Sequence, residues 1–405
     1  MRRDGLGEAL RGAPIAIPDD AEERGLRVVE AAYAEREAPA RSRLESRRPL
    51  PRLALALALA TLLAALLLSP AGAAVRDWVD DAFTASTPKP EPTLAEIPGG
   101  GRLLVESAAG PWVVQPDGSR RLLGGYEEAT WSPHGLFVAA ADGRTLSAVE
   151  PDGTPRWSFT APARVADPRW APSPGERIAY RSGRALRVIA GDGTGERALA
   201  PQTAPIAPAW SPFGDPSLAY VSAAGALRIV DSESGERLAA APGLPEIAEM
   251  EWGAGGTAIL ETSPRALRLR QVRAGKLSPG PALDAGRMLA VPPGADLVDA
   301  ALAPRRQAVA AVLTHWRDAG TSSSVVVYGP AGGRQRLLTV PGSLGEVAWS
   351  PDGERLLVAW PYANQWLFLP VGKGQGRAVA NVSNAFAPGG GVASFPRVEG
   401  WCCRP

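Results

Sequence analysis

The sequence Trp349-Ser350-Pro351-Asp352-Gly353 is the fullest form of a short phrase that recurs along this 405-residue chain. Incomplete copies of the phrase follow a similar apolar strand at six other places. The markers of the repeat are Trp131, Trp170, Trp210, Trp252, Leu302, Trp349 and Trp401. Successive markers are separated by 39 to 52 residues. A recurring interval of this size indicates a repeat architecture, in which each repeat is one supersecondary unit.

Each repeat predicts four short strands. Two consecutive units align, with Ile178-Ala-Tyr180 matching Leu218-Ala-Tyr220 at a separation of 40 residues. Pro-Asp-Gly turns recur at 116–118, 151–153 and 351–353. Proline presets the first turn position and glycine tolerates positive φ, so these sequences favour tight hairpins. Four strands in about 40–50 residues are typical of a β-propeller blade.

The Trp-Ser-Pro-Asp-Gly phrase, followed by an apolar strand, resembles the TolB-type, WD40-like β-propeller repeat proteins over roughly residues 100–401. The resemblance implies an all-β propeller that recognises a protein or a cell-envelope polymer at one face. The pattern departs from the family at Trp252-Gly253-Ala254 and at Leu302, where the tryptophan is absent. We therefore expect irregular blades at those two places.

The two ends of the repeat region complement each other. Residues 102–123 supply three strands without a preceding tryptophan strand, and residues 395–401 supply a tryptophan strand without followers. Joined, they make one further blade and close the ring, which removes open sheet edges. We prefer seven blades within residues 99–405, although six or eight also fit the intervals.

The segment 53–75 contains no charged residue across 23 positions, enough to cross a hydrocarbon core of about 30 Å as a helix. The preceding residues 36–52 carry a net charge of +4, and residues 76–82 carry −2. Basic residues favour the cytoplasmic side, so we predict a single-pass anchor with a cytoplasmic N-terminus and an extracytoplasmic C-terminal domain in a bacterial cell membrane. A signal peptide cleaved near Ala71-Gly72-Ala73 is the alternative.

Two segments flank this predicted anchor. The Arg-rich residues 1–52 include a predicted short helix near 19–37, which is either a docking helix for a cytoplasmic partner or a solvated segment. Residues 76–98 are interpreted as a helix end followed by a proline-rich spacer.

The sequence marks no catalytic, cofactor-binding or metal-binding residue. The two histidines, His134 and His315, lie in separate repeats without a matching carboxylate pattern, so they do not predict a metal site. The aspartates of the Pro-Asp-Gly turns are interpreted as hairpin residues rather than calcium ligands. Net charge is +1, and the basic strand from Arg265 to Arg273 is interpreted as a solvated face, so no nucleic-acid partner is expected.

The only two cysteines are neighbours, Cys402 and Cys403, at the predicted seam of the ring. Adjacent Cα atoms lie about 3.8 Å apart, closer than in most disulfides, so a bridge between them would be strained. A redox-sensitive latch, a soft-metal clip and a purely structural pair all remain open.

We predict a non-enzymatic, membrane-anchored scaffold that binds a protein or an envelope ligand at a propeller face. One alternative is a transmembrane regulator whose residues 19–37 hold a cytoplasmic factor, as anti-sigma proteins do. Another is a propeller hydrolase or lyase, which the fold alone does not support.

Overall fold

The computed structural model describes residues 90–91, 93–172, 176–212, 215–253, 256–274, 281–317, 320–330, 333–388 and 394–403. The predicted helix near 19–37, the predicted anchor 53–75 and the spacer up to residue 89 lie outside these ranges. In the part of the chain that is described, no helix is both long enough and apolar enough to cross a membrane.

Seven antiparallel sheets form the blades, here named A to G around the ring. Blade A contains Arg102–Ser107 (β2), Gly110–Val114 (β3), Arg120–Leu122 (β4) and, from the other end of the chain, Arg397–Cys402 (β30). Blade B contains Glu128–Trp131 (β5), Val138–Asp142 (β6), Thr145–Val149 (β7) and Pro155–Thr160 (β8). Blade C contains Val165–Trp170 (β9), Arg177–Ser182 (β10), Ala185–Ala190 (β11) and Arg197–Ala200 (β12). Blade D contains Ala209–Trp210 (β13), Ser217–Val221 (β14), Ala226–Asp231 (β15) and Arg237–Pro242 (β16).

The remaining three blades follow in chain order. Blade E contains Glu249–Trp252 (β17), Ala258–Ser263 (β18), Ala266–Ala274 (β19), Pro281–Leu283 (β20) and Arg287–Leu289 (β21). Blade F contains Ala295–Leu302 (β22), Val309–Arg317 (β23), Gly320–Tyr328 (β24) and Arg334–Pro341 (β25). Blade G contains Val347–Trp349 (β26), Arg355–Trp360 (β27), Gln365–Pro370 (β28), Arg377–Ala380 (β29) and the short strand Pro90–Glu91 (β1). A 3-10 helix spans Pro361–Ala363, and a one-turn α-helix (α1) spans Val382–Ala385.

The ring closes between the two ends of the repeat region, and the prediction of seven blades is confirmed. The strand β30 pairs with β2, with Trp401 opposite Leu103. The first strands β5, β9, β13, β17, β22, β26 and β30 contact their neighbours in sequence, and β30 then contacts β5. These first strands therefore surround the axis of the ring.

The two blades expected to be irregular behave differently. In blade E the long strand β19 pairs with both β20 and β21, so the outer edge of this blade is split. Blade F is an ordinary four-stranded sheet, in which Leu302 is buried like Trp210, Trp252, Trp349 and Trp401. The leucine side chain fills the same position between blades, but it lacks the indole N–H group that a tryptophan donates.

The hydrophobic core consists of seven clusters, one between each pair of neighbouring blades. Because both faces of a blade are covered, second strands such as Ser217–Val221 are buried along their whole length. The marker tryptophans lie in these clusters. The indole of Trp210 donates a 2.9 Å hydrogen bond to the carbonyl of Arg169 in blade C, and Trp349 donates one of 2.9 Å to Ala301 in blade F. These two tryptophans thus bind the backbone of the preceding blade, whereas Trp252 donates to Gly256 in its own blade.

The described end of the predicted spacer contacts blade G. The strand β1 runs parallel to β29, with Pro90 opposite Ala378. Arg377 on β29 donates to Glu91 at 2.7 Å and to Glu96 at 2.9 Å. Pro90 and Glu91 therefore extend the outer edge of this blade.

Candidate functional site

The first strands carry a column of acidic residues that faces the axis of the ring. In five of the seven blades, the third residue before the repeat marker is an aspartate or a glutamate. These residues are Glu128, Asp167, Glu249, Asp299 and Glu346. Blade D has Ala207 at this position, and blade A has Val398 followed by Glu399. The column is present in the aligned sequence, but the apolar and turn residues that define the repeat do not mark it.

Several of these carboxylates connect neighbouring blades. Glu128 accepts a 2.5 Å hydrogen bond from the amide of Asp167, and Asp299 accepts one of 2.7 Å from the amide of Val347. Glu251, two residues after Glu249, accepts one of 2.7 Å from Leu302. These bonds satisfy backbone donors near the axis that no strand partner reaches.

Acidic residues dominate one side of the axis. We define the acidic arc as the six carboxylates that blades E, F, G and A place there, Glu106, Glu249, Glu251, Asp299, Glu346 and Glu399. Among them lies Arg397, whose guanidinium is 2.5 Å from Glu399 and 3.9 Å from Glu346. On the other side, in blades B and C, Glu128 and Asp167 are balanced by Arg169 and Arg181. Arg181 contacts Asp167 at 2.5 Å.

The carboxylates of the arc influence one another. Burial raises the pKa values of Glu251, Asp299 and Glu346, and the negative charge of Glu249 raises all three further. The pKa of Glu251 reaches about 7. Burial likewise raises the pKa of Glu106 to about 8, and the charge of Glu399 adds to this rise. Part of the arc thus holds protons near neutral pH, and a bound cation would favour the charged forms.

A groove of about 710 Å³ opens beside the arc, at the face where the first strands begin. It is lined by residues 204–206, by the hairpin 224–226 and by the linker 242–248 between blades D and E. Glu246 is the one charged side chain in this lining. The linker continues directly into β17, which carries Glu249 and Glu251. The apolar groove and the acidic arc therefore meet along one stretch of backbone.

A buried ion pair holds the linker wall in place. Glu261 and Arg270 are 0% and 1% exposed and contact each other. The amide of Leu244 donates to Glu261 at 3.0 Å, and Arg270 and Arg268 both donate to the carbonyl of Pro242. The interpretation of this basic strand as a solvated face is therefore wrong for Arg270, because the side chain is needed to neutralise Glu261 and bind the linker carbonyl.

The two cysteines lie at the seam, as their position in the sequence requires. Their sulfurs are bonded to each other and pack against the turn that follows Trp131 in blade B. The Sγ atom of Cys402 is 4.0 Å from the carbonyl oxygen of Ser132. Gly135 lies so close that an added Cβ would be 2.6 Å from the Sγ atom of Cys403. The pair thus contacts both blades A and B.

The other sequence candidates do not converge on one site. His134 is exposed in a turn of blade B, whereas His315 lies on β23 of blade F, opposite Ser322. The turn aspartates bind their own hairpins, as Asp192 does with the amide of Thr194 at 2.9 Å. Across the described ranges, no group of three or more His, Cys, Asp or Glu side chains is arranged to hold a metal ion.

Solved structures share this architecture at low sequence identity. The Cps50 (Swd1) β-propeller domain of Myceliophteria thermophila is 16% identical with a TM-score of 0.53, and the match covers 70% of this chain and 100% of that one. A chain of the Mitotic Checkpoint Complex is 15% identical with a TM-score of 0.50, covering 83% and 98%. KlHsv2 with loop 6CD replaced by a Gly-Ser linker is 12% identical with a TM-score of 0.50, covering 69% and 93%.

No protein-family model matches the sequence, and no curated protein sequence matches it significantly. Likeness at these identities shows the fold. The chain is a seven-bladed β-propeller with WD40 propellers among its structural neighbours.

Proposed function

We propose that this protein is a non-enzymatic scaffold that binds a segment of a protein partner where the groove meets the acidic arc. The observation that carries the proposal is the continuity of the two surfaces through the linker 242–248 and β17. An extended segment lying across them would place an apolar side chain in the groove and a lysine or arginine at Glu249.

The charge of the arc favours a basic segment. Glu106 and Glu251 hold protons for part of the time near neutral pH, but the other four carboxylates still outnumber the one guanidinium on this side of the axis, whereas blades B and C are balanced. A cleft lined by one sign of charge between low-dielectric walls concentrates the field and attracts the opposite charge. Arginine suits this position, since its planar guanidinium binds carboxylates with two hydrogen bonds.

The groove wall suits binding because it is held in place before a partner arrives. The contacts of Glu261, Arg268 and Arg270 with the linker fix its backbone. A surface that needs no reordering loses less conformational entropy on association. Neighbours such as the Mitotic Checkpoint Complex chain occur in protein assemblies, which agrees with a binding role.

The sequence supports a membrane-anchored position for the propeller. The uncharged segment 53–75 and the surrounding charge asymmetry support an anchored, extracytoplasmic propeller in a bacterial membrane. The Trp-Ser-Pro-Asp-Gly phrase supports a TolB-type relationship, and the partner would then be an envelope protein.

A second candidate function is regulation of a cytoplasmic factor by residues 19–37. It is favoured by the helical spacing of Leu26, Val29 and Tyr33 in that segment. A pull-down with residues 1–50 as bait tests it, and the absence of a specific cytoplasmic partner would contradict it.

A displayed library of short linear peptides, selected on the full-length protein in detergent, tests the main proposal. We expect enriched peptides to combine an apolar residue with a nearby lysine or arginine. Measured by fluorescence anisotropy, the Glu249→Gln substitution should lower the affinity for such a peptide by about five- to tenfold, or about 1 kcal/mol of binding free energy. Its control is Glu354→Gln, which removes an exposed charge on the opposite rim.

A second pair of variants tests the groove. Ala224→Trp fills it, because Ala224 is exposed and lines it, and binding should be lost. Ala223→Trp alters the exposed neighbour, which is not part of the lining, and should leave the affinity within about twofold. Enrichment of acidic peptides, or equal effects of the two tryptophan variants, would contradict the proposal.

A further inference from the structure

The bridge between the two cysteines at the seam contributes little as a structural crosslink. Cys402 and Cys403 are adjacent, so their bond closes the shortest loop that two residues of a chain can form. In the chain-entropy account, a disulfide stabilises a fold less as the loop that it closes becomes shorter. The pairing of β30 with β2 already closes the ring at this place. Stabilisation of the fold therefore does not explain why the pair lies at the seam.

Both cysteines are partly exposed. They lie at the end of β30 and therefore at the face of the ring opposite the groove. Partial exposure is typical of reactive cysteines, whereas structural cysteines buried in apolar surroundings are inert. Cys403 also has a backbone φ of 61°, in the left-handed region that is unfavourable for residues other than glycine. Such conformations are frequent at functional sites, where the surrounding structure enforces them.

A guanidinium lies beside the sulfurs of this pair. A Cβ atom added at Gly135 would be 2.5 Å from the Nη2 atom of Arg102. The same added atom would be 2.6 Å from the Sγ atom of Cys403 and 3.1 Å from that of Cys402. The guanidinium and both sulfurs therefore surround one point, and the nitrogen is no farther from either sulfur than the sum of the two distances. Arg102 is also opposite Cys402 in the pairing of β2 with β30.

Arg102 has a positive charge that no acidic side chain balances. Among the residues that the structure describes, no carboxylate pairs with it, and its guanidinium lies over the indole of Trp131, 5.1 Å from the ring centroid. Partial burial lowers the pKa of this guanidinium, so a negative charge beside it would stabilise its charged form. A cysteine thiolate carries such a charge, and a neighbouring arginine lowers the pKa of a thiol. These surroundings therefore favour a thiolate at the reduced pair.

We propose that Cys402 and Cys403 form a redox-active disulfide that a dithiol reduces, and that Arg102 stabilises the departing thiolate. One thiolate of the reductant attacks a sulfur of the pair, the bond between the two cysteines breaks, and the other cysteine leaves as a thiolate beside Arg102. The second thiol of the reductant loses its proton and displaces the first cysteine, so the reductant leaves as a disulfide. The two electrons and two protons of the dithiol remain on the cysteines. This site is independent of the groove and of the acidic arc.

The rate of reduction tests this assignment. The chain has two cysteines, so every alkylated thiol reports on this pair. The full-length oxidised protein in detergent is mixed with dithiothreitol at pH 7, quenched with acid at set times, alkylated and measured by mass spectrometry. We expect both thiols to appear together, at least about fivefold faster than dithiothreitol reduces oxidised glutathione. A slower reaction, or two free thiols before reductant is added, would overturn the proposal.

Matched variants test the role of Arg102 as a positioning residue. Arg102→Gln removes the charge and should slow reduction about fivefold, whereas Arg102→Lys keeps the charge and should slow it less than about twofold. Arg120→Gln is the control, because it removes an exposed arginine from the outer strand of the same blade and should leave the rate unchanged. Equal rates for Arg102→Gln and the wild type would overturn the role of the charge.

The charge of the reductant separates this role from a purely structural one. The anionic thiol 2-mercaptoethanesulfonate should reduce the wild type faster than the neutral thiol 2-mercaptoethanol, because the guanidinium attracts the negative reductant. The ratio of the two rates should fall in Arg102→Gln and persist in Arg102→Lys. If Arg102→Gln does not fold, the ratio in the wild type still decides, and no preference for the anionic thiol would overturn the proposal.

Discussion

Replacing Glu251 by glutamine should make the protein more resistant to rising pH. Burial raises the pKa of Glu251 from 4.5 to about 7 in the folded protein. The folded state therefore binds more protons than the unfolded state between these values, and stability falls as pH rises through that window. Glutamine has no proton to lose, and its side-chain oxygen can still accept the amide hydrogen bond from Leu302.

The magnitude follows from the size of the shift. Each pKa unit corresponds to about 1.4 kcal/mol, so the penalty for ionising Glu251 approaches about 3 kcal/mol at pH 8 and is below about 1 kcal/mol at pH 5. Water reaching the axis reduces this difference. We therefore expect the free energy of unfolding of Glu251→Gln, relative to that of the wild type, to rise by about 2 kcal/mol between pH 5 and pH 8.

Chemical denaturation at pH 5, 6, 7 and 8 measures this gain, with Glu354→Gln as the control for loss of an exposed glutamate. The difference between variant and wild type should widen steadily with pH, while the control stays parallel to the wild type. A difference that stays constant within about 0.5 kcal/mol from pH 5 to pH 8 would refute the assigned burial of this carboxylate.

Three other predictions concern the packing of the blades. Trp349→Phe should lower the free energy of unfolding by about 1–2 kcal/mol in urea titrations, because an inter-blade hydrogen bond is lost, and an unchanged midpoint would contradict this. Glu261→Gln should lower it by about 3–5 kcal/mol, since Arg270 keeps its buried charge without a partner, and a loss below about 1 kcal/mol would show that water reaches the pair. Thiol titration of the oxidised protein should find Cys402 and Cys403 unreactive until reductant is added, and two free thiols beforehand would exclude the bridge.

The sequence alone indicated the repeat, the place of closure and a preference for seven blades over six or eight, and the structure confirmed seven. These depend on local, repeated signals: a tryptophan at the end of each first strand, hairpin turns at fixed offsets and unmatched strands at the two ends. Leu302 shows why these signals tolerate exceptions, since a buried leucine fills the position of a tryptophan between blades E and F. Positions between blades require a large apolar side chain rather than tryptophan in particular, and this requirement can be recognised from the residue type alone.

Only the tertiary structure decided which polar residues meet. Glu249, Asp299 and Glu346 are about 50 residues apart in sequence, and their charges interact because closure brings their strands around one axis. Arg270 has the sequence context of an exposed strand, yet the linker from blade D covers it. Charge proximity and burial depend on distances across the ring, which periodicity along the chain does not encode.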